Sequence, residues 1–216
     1  MRIPTPVGAG LVLAGLTASA VYSKWARRWY LTWGATSREV TARLPGDELL
    51  VDPDLQSTRA ISIDAPPGAV WRWLVQMGSG RGGAYTYDWI ENLFGLDMHS
   101  ADEILPQFQH LGVGDVLPLG PNGPSMRVEI CEPGRALAFR SVDGAWVWSF
   151  SLHPEGTGTR LISRNRITPP HPSRTGRLAN RLVMEPGSLI MERRMLLGIK
   201  ERAERTAGDL REGAVR

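Results

Sequence analysis

The sequence predicts an α+β fold in which one strand and two short helices precede a run of five strands and a long C-terminal helix. Two observations carry this prediction. Apolar and polar residues alternate in short runs across residues 116–168, with the turn pair Asp143-Gly144 between two of the runs. Apolar residues then recur at helical spacing from about Gly187 to Ala207. With 216 residues, 42% of them hydrophobic and 22% charged, the chain suits one domain with a packed core.

The N-terminal region contains an uncharged stretch, Ile3 to Ser23, that is barely long enough to cross the ~30 Å hydrocarbon core of a bilayer as a helix. Three interpretations compete. Ala18-Ser19-Ala20 after an apolar run is typical of a cleaved signal peptide. A membrane anchor is the second interpretation, and a soluble N-terminal helix is the third, although glycines in the stretch lower its helix propensity.

The residues that follow this stretch favour the anchor. Lys24, Arg27 and Arg28 come directly after it, whereas only Arg2 precedes it. The positive-inside tendency keeps such a cluster in the cytoplasm, and the neighbouring tryptophans suit the headgroup region. We therefore predict a single-pass cell-membrane anchor at Val7 to Tyr22, with the folded domain on the cytoplasmic side.

The chain is predicted to divide into four sections. Residues 1–33 hold the apolar segment and a juxtamembrane region, the turn-rich residues 34–56 form an extended linker or arm, residues 57–207 form the folded domain, and residues 208–216 are a tail. The domain opens with Arg59 to Asp64, where apolar and polar residues alternate as they do in a half-buried strand.

Two helices are predicted after this strand. Pro66 and Pro67 open the first one, because proline is tolerated in the first turn of a helix, and apolar residues recur at helical spacing as far as Met77. The second helix runs from Tyr87 to Phe94, and a third is possible from Ala101 to Phe108.

Five short strands separated by turns are predicted next. They are Val116 to Leu119, Met126 to Cys131, Ala136 to Val142, Ala145 to His153, and Thr159 to Thr168. The Asp143-Gly144 pair between the third and fourth of them is the strongest hairpin signal in the sequence.

Several segments resemble a known superfamily. The segments are Ile61 to Leu74 (ISIDAPPGAVWRWL), Gln76 to Asp88 (QMGSGRGGAYTYD), Leu111 to Asp115 (LGVGD) and Met191 to Glu204 (MERRMLLGIKERAE). Over residues 57–207 the chain resembles the SRPBCC superfamily of START-like proteins, which includes polyketide cyclase/dehydrase and lipid-transport relatives, and in particular a bacterial branch of it. The resemblance implies a helix-grip fold, in which a curved antiparallel sheet wraps the C-terminal helix and leaves a cavity for an apolar ligand. Because the superfamily contains binding proteins, transfer proteins and enzymes, the fold alone assigns no activity.

One face of the predicted sheet supplies candidate ligand contacts. Trp146, Trp148 and Phe150 share a face, which would form an aromatic pocket wall if that face points at the long helix. A fully packed core explains the same pattern. Ser163 and Asn165 share a face of the next strand and need hydrogen-bond partners if that face is the inner one, and a ligand is one possible partner.

The long helix contributes a carboxylate among apolar residues. Glu192 falls in the middle of the apolar arc, and Met191 and Met195 beside it have adaptable side chains that suit varied ligands. Burial without a partner would raise the pKa of Glu192 and make it an acid, a base or a ligand anchor. The alternative is that Glu192 pairs with an arginine of the sheet.

The loop after the first helix supplies the remaining candidates. Gly78 to Gly83 follows a helix and lacks the ending of a phosphate-binding loop, so it is not a nucleotide signature. Its glycines are expected to let Tyr85 and Tyr87 approach the cavity entrance. Together with Asp88 and Asn92, these residues form the densest polar-aromatic cluster, and we predict that they contact the ligand.

The sequence indicates no cofactor and no metal site. His99, His110, His153 and His171 show no metal-binding spacing, and Cys131 is the single cysteine. No Gly-x-Ser-x-Gly nucleophile motif is present, so we assign no catalytic residue.

The charge distribution is uneven along the chain. The net charge is only +3, but arginines accumulate in residues 163–205, where they suit either an anionic surface or a solvated helix face. The solvated face is the simpler explanation, so no nucleic-acid partner is predicted.

The leading functional hypothesis is a membrane-tethered protein that binds a hydrophobic small molecule or lipid between the sheet and the C-terminal helix. A cyclase- or dehydratase-type enzyme acting in the same cavity through Glu192 or the Tyr87/Asp88 region is the alternative. A soluble interaction module with a filled core is the third. The protein partner, if any, stays unknown.

Overall fold

The computed structural model describes residues 24–93, 95–120, 125–168 and 180–214. Its centre is a six-stranded antiparallel sheet with the order β1-β6-β5-β4-β3-β2. The strands are β1 (Leu55–Ile63), β2 (Val116–Pro118), β3 (Ser125–Glu132), β4 (Ala136–Ser141), β5 (Trp146–Glu155) and β6 (Gly158–Ile167). The predicted strands are therefore all present within the described residues, each within a few residues of its expected bounds.

The helices lie before, between and after the strands. Residues 24–31 form the first helix, α1. The others are α2 (Ser37–Thr41), α3 (Pro67–Val75), α4 (Asp88–Leu93) and α5 (Glu185–Ala214). A π-helical turn, Asn180–Met184, leads directly into α5.

Local sequence signals explain the hairpin and the first domain helix. Gly144 adopts a positive φ of 75° in the turn between β4 and β5, and the Asp143 carboxylate accepts a hydrogen bond from the Ala145 amide at 3.1 Å. Pro67 occupies the first turn of α3, where its missing N–H needs no partner. Both features confirm the predictions made from these residues.

The prediction of a possible third helix is wrong. Within Ala101 to Phe108 only Pro106–Phe108 is helical, as a single 3₁₀ turn. The segment is instead held by outside partners: the Gln76 side chain donates to the Glu103 carbonyl at 3.1 Å and accepts from the Leu105 amide at 2.9 Å. These contacts satisfy backbone groups that a helix would otherwise pair internally.

The segment of residues 34–56, predicted as an extended linker or arm, contains α2 and a 3₁₀ turn and lies against the outer face of the sheet. Arg160 of β6 donates to the Glu39 carboxylate at 2.8 Å, and Arg164 donates to Asp47 at 2.6 Å. Because Arg164 is buried, its guanidinium needs a charged partner such as Asp47.

The predicted anchor at Val7 to Tyr22, which would form the N-terminal apolar helix, lies outside the described residues. Within the described ranges, no helix combines the length and the apolar character needed to cross a bilayer.

The main core lies between the inner face of the sheet and two helices, α3 and α5. Its largest fully buried members include Trp73, Phe150, Leu161 and Leu196. α5 approaches the loop after α3 so closely that a Cβ added at Gly198 would lie 2.5 Å from the Tyr85 carbonyl oxygen. A long C-terminal helix held by an antiparallel sheet is the helix-grip arrangement that the resemblance implied.

Candidate functional site

A cavity of about 400 Å³ lies between the inner face of the sheet and the N-terminal half of α5. The apolar side chains that line it are Leu31, Leu55, Ala84, Trp146, Trp148, Ile167, Met184, Met191 and Met195. The polar ones are Ser57, Arg59, Thr86, Glu91, Asn165, Glu185, Ser188 and Glu192. Met184 and Ser188 are exposed, so the cavity is open to solvent at the start of α5.

A buried ion pair lies at the centre of the polar lining. Arg59 is 1% exposed and donates through Nη1 to the Oε2 atom of Glu192, which is 8% exposed. Two further groups donate to the same carboxylate: the Ser163 hydroxyl to Oε1 at 2.7 Å and the Asn165 amide to Oε2 at 3.1 Å. The antiparallel register explains the cluster, because it pairs Arg59 with Ser163 across β1 and β6.

The same network orients the aromatic wall. The indole N–H of Trp148 donates to the Ser163 hydroxyl at 3.0 Å, and that of Trp146 donates to the Asn165 carbonyl oxygen at 2.8 Å. The two indoles stack with ring centroids 5.9 Å apart and planes 18° apart. Each indole N–H is therefore satisfied by protein, which leaves the rings available as an apolar surface.

Each nitrogen of the Arg59 guanidinium already donates to a protein group. Besides the contact of Nη1 with Glu192, Nε donates to the Tyr30 carbonyl at 3.0 Å and Nη2 donates to the Ser188 hydroxyl at 2.9 Å. Arg59, itself on β1, thus ties the end of α1 to α5. A second ion pair repeats this link near the cavity mouth, where Arg27 donates to both Glu185 oxygens at 2.8 and 2.9 Å.

The electrostatics of Glu192 reflect opposing effects. Burial raises the pKa of its carboxyl above the ordinary value, while the Arg59 charge and the Ser163 hydroxyl act in the opposite direction. The alternative raised from the sequence, that Glu192 pairs with an arginine of the sheet, describes the contacts that are present. Because three donors face the carboxylate, the geometry favours its ionised form.

Glu91 of α4 is a second buried carboxyl in the cavity lining. It is 8% exposed, and burial raises its pKa, an effect to which the charge of Asp88 adds and which the nearby Thr86 hydroxyl reduces. Apart from this hydroxyl, the Glu91 Oε2 atom has no hydrogen-bond partner among the described residues.

Half of the predicted ligand-contacting residues line the cavity. They are Trp146, Trp148, Asn165, Met191, Glu192 and Met195. Phe150 and Ser163 lie just behind this lining, Phe150 in the core and Ser163 between Trp148 and Glu192. Whether any of these residues contacts a ligand stays a prediction.

The loop residues lie elsewhere. Tyr85, expected at the cavity entrance, is 1% exposed in the core, where its hydroxyl donates to the Trp73 carbonyl at 2.9 Å. Asp88 accepts two hydrogen bonds from Ser100, and the Asn92 side chain bonds the backbone of Met98. These side chains and the exposed Tyr87 are absent from the cavity lining, to which this part of the chain contributes Ala84, Thr86 and Glu91 instead.

Three important residues were not among the predicted site residues. Arg59 had a usable signal, because it shares a strand face with Ile61 and Ile63. Glu91 and Thr86 had none: in α4 the apolar residues Trp89 and Leu93 are exposed and the charged Glu91 is buried, which reverses the usual pattern.

Side chains that commonly bind metal ions are scattered in this structure. The described residues contain no group of three or more histidine, cysteine, aspartate or glutamate side chains arranged to hold a metal ion. The His99 ring lies 3.2 Å from the Asp97 carboxylate, and both side chains are exposed. The Cys131 thiol donates to the Leu111 carbonyl at 3.2 Å, and partial burial raises its pKa.

Comparisons with known proteins give similarities of structure at low sequence identity. No family model and no curated protein matches the chain. Among solved structures, a protein from Mesorhizobium loti is 19% identical with a TM-score of 0.44, and the match covers 70% of this chain and 98% of that one. The polyketide-cyclase-like protein Cgl2372 from Corynebacterium glutamicum is 17% identical with a TM-score of 0.38, and the match covers 69% of this chain and 91% of that one. Aha1 from Colwellia psychrerythraea is 15% identical with a TM-score of 0.41, and the match covers 69% of this chain and 96% of that one.

These similarities concern the fold, and no function is taken from them. The topology of this chain is itself that of the helix-grip fold that the sequence resemblance implied.

Proposed function

We propose that this protein binds a hydrophobic small molecule or lipid in the cavity between the sheet and α5. The observation that carries the proposal is the combination of an open cavity and a lining whose exposed surface is mainly apolar. A volume of about 400 Å³ lies in the range of ~300–1,000 Å³ that is usual for small-molecule sites. Where the sequence left open an aromatic pocket or a filled core, this geometry favours the pocket.

Transfer of apolar surface out of water would drive binding. Each square ångström of apolar ligand surface that is buried contributes about 25 cal/mol. The stacked indoles of Trp146 and Trp148 offer a flat wall, and the flexible side chains of Met191 and Met195 can adapt to the opposite side of a ligand. Such a lining suits a flat or chain-like apolar body.

The protein would be held at a membrane by the anchor predicted at Val7 to Tyr22. The support for this part is the position of the helix that follows the anchor in sequence. α1 contributes Leu31 to the cavity lining and Arg27 to the ion pair with Glu185 at its mouth. An anchor that precedes α1 would therefore hold the cavity mouth near the bilayer, where an apolar ligand is concentrated.

A catalytic role is the second candidate, because two carboxyl groups with raised pKa values line an apolar cavity. The two carboxyl groups differ in how many protein groups already bond them. Glu192 already accepts hydrogen bonds from three side chains, whereas Glu91 Oε2 has no partner among the described residues. Glu192→Gln in an enzyme of cyclase or dehydratase type would abolish turnover and spare ligand uptake. If the protein only binds, the variant changes affinity alone.

The binding proposal is tested by filling the cavity. Ser57 lies on β1, is buried and lines the cavity, whereas Ser62 lies on the opposite, exposed face of the same strand. We expect Ser57→Phe to weaken binding of a fluorescent apolar probe at least about tenfold, since the added ring occupies the space of the ligand. Ser62→Phe is the matched control and should bind like the wild type.

Fluorescence titration of the full-length protein measures both variants, and circular dichroism checks that each is folded. Equal probe binding by the wild type and a folded Ser57→Phe protein would place the probe outside the cavity and contradict the proposal. No binding of any apolar probe by the wild type would contradict it as well.

A further inference from the structure

The cavity contains a carboxyl group that has no ion-pair partner among the described residues. Glu91 is more than nine-tenths buried, it lines the cavity, and its Oε2 atom has no hydrogen-bond partner among the described residues. The adjacent Thr86 side chain also lines the cavity, and its hydroxyl lies near the Glu91 carboxyl. Because an unsatisfied buried polar group is costly, the Glu91 carboxyl indicates a place where a polar group of a ligand binds.

The charges of the lining indicate the sign of that group. The lining contains three carboxyl groups and one guanidinium. Glu192 is paired with Arg59, and Glu185 is paired with Arg27 at the mouth. Glu91 has no ion-pair partner within the described part of the chain, and its charged neighbour Asp88 is another acid. The cavity is therefore complementary to one positive charge.

We propose that the ligand is a cationic amphiphile, with an apolar body against Trp146 and Trp148 and an ammonium group bound by the Glu91 carboxylate and the Thr86 hydroxyl. The inference rests on the proposed binding function and adds the chemical class of the ligand. An ammonium group donates hydrogen bonds to the Glu91 carboxylate and supplies the missing charge. A ligand carboxylate would meet like charge at Glu91, and each nitrogen of Arg59 is already engaged by protein.

The burial of Glu91 fits this assignment. Without a ligand, burial raises the pKa of the carboxyl. A bound ammonium group would lower it again and favour the carboxylate, so the ion pair forms in a desolvated site where it is stronger than in water.

Three probes with the same alkyl chain test the proposal: decylamine, decanol and decanoic acid. Each is titrated against the full-length protein carrying a fluorescent apolar probe, and displacement gives its affinity. We expect decylamine to bind about tenfold more tightly than decanol, and decanoic acid to bind more weakly than decanol, because the amine forms charge-assisted hydrogen bonds.

Variants assign the preference to Glu91. Glu91→Gln should bring the decylamine-to-decanol affinity ratio close to one, and Thr86→Val should reduce it in part. Glu103→Gln, which alters an exposed glutamate outside the cavity, should leave the ratio unchanged. The two cavity variants are independent, so Thr86→Val tests the site even if Glu91→Gln does not fold.

The possible results separate this inference from the proposed function. If decanol or decanoic acid binds as tightly as decylamine, the assignment of a cationic ligand is wrong, but the proposal of apolar binding stands. The same conclusion follows if the decylamine-to-decanol affinity ratio is unchanged in folded Glu91→Gln protein. If none of the three displaces the probe, the binding function and the inference both fail.

Discussion

Replacement of Arg59 by methionine should be among the most damaging single changes on the inner face of the sheet. The substitution keeps an apolar stem of similar length but removes the guanidinium that faces Glu192. It also removes the donors to the Tyr30 carbonyl and the Ser188 hydroxyl. The carboxylate would remain buried with only neutral donors.

The size of the effect follows from the burial of both partners, which are 1% and 8% exposed. Breaking a buried ion pair by removing one partner typically costs about 3–5 kcal/mol, since an uncompensated charge is left inside. For a chain of this size that corresponds to a fall in Tm of roughly 6–20 °C. The exposed pair of Arg194 and Glu201 is the control, and Arg194→Met should cost less than about 1 kcal/mol.

A second substitution tests the reason for the loss. Arg59→Met combined with Glu192→Leu removes both charges, so we expect the double variant to be about 2 kcal/mol more stable than Arg59→Met alone. Urea unfolding followed by tryptophan fluorescence measures the four proteins of the cycle. A loss below about 1 kcal/mol for Arg59→Met, or no recovery in the double variant, would refute the argument.

The pH dependence of the single variant gives an independent check. In Arg59→Met protein the Glu192 carboxyl keeps the burial that raises its pKa and loses the charge that lowers it. A carboxyl with a raised folded pKa stabilises the fold below its unfolded pKa, and that contribution is lost as pH rises through the folded pKa. The loss caused by Arg59→Met should therefore be larger near about pH 8 than near about pH 5.

Two further predictions concern packing and the outer face of the sheet. Gly198→Ala should destabilise the protein by about 1–3 kcal/mol, because the new Cβ meets the Tyr85 backbone, whereas Gly208→Ala in the same helix meets nothing within 4 Å and should gain about 0.5–1 kcal/mol. Hydrogen bonding from Arg160 lowers the pKa of Glu39 to about 2. Stability from this pair is present above the unfolded pKa and falls as pH drops from about 4 towards 2, so Glu39→Gln should lose about 1 kcal/mol at neutral pH and show less acid sensitivity.

Thermal unfolding scans check both predictions. Equal changes in the two glycine variants would show that the close approach of α5 to the loop after α3 is absent. If the wild type and Glu39→Gln proteins lose stability in parallel between about pH 4 and pH 2, the Glu39 carboxyl is not held ionised by its arginine.

The strand pattern and the inner face of the sheet were predictable because they depend on local chemistry. The alternation of residues 146–152 identifies one face, and the structure points that face at α5. The position of Glu192 in the apolar arc of the last helix likewise indicated a buried carboxylate.

The partners across the sheet could not be predicted, because register is a property of strand pairing. Nothing local to Arg59 shows that it lies opposite Ser163 and within reach of Glu192. Tertiary contacts also decide which side of α4 faces inward. This six-residue helix exposes Trp89 and buries Glu91, the reverse of what the local sequence pattern predicts. The segment of residues 34–56 lacks periodicity for the same reason: contacts with buried polar groups of β6 hold it.

The central claim, that the cavity holds an apolar molecule, is tested most directly by native mass spectrometry of the full-length protein purified from a bacterial host. We expect a bound species in the wild type that is strongly depleted in Ser57→Phe protein and retained in Ser62→Phe protein. A wild type that carries no bound molecule and takes up no added apolar probe would contradict the account.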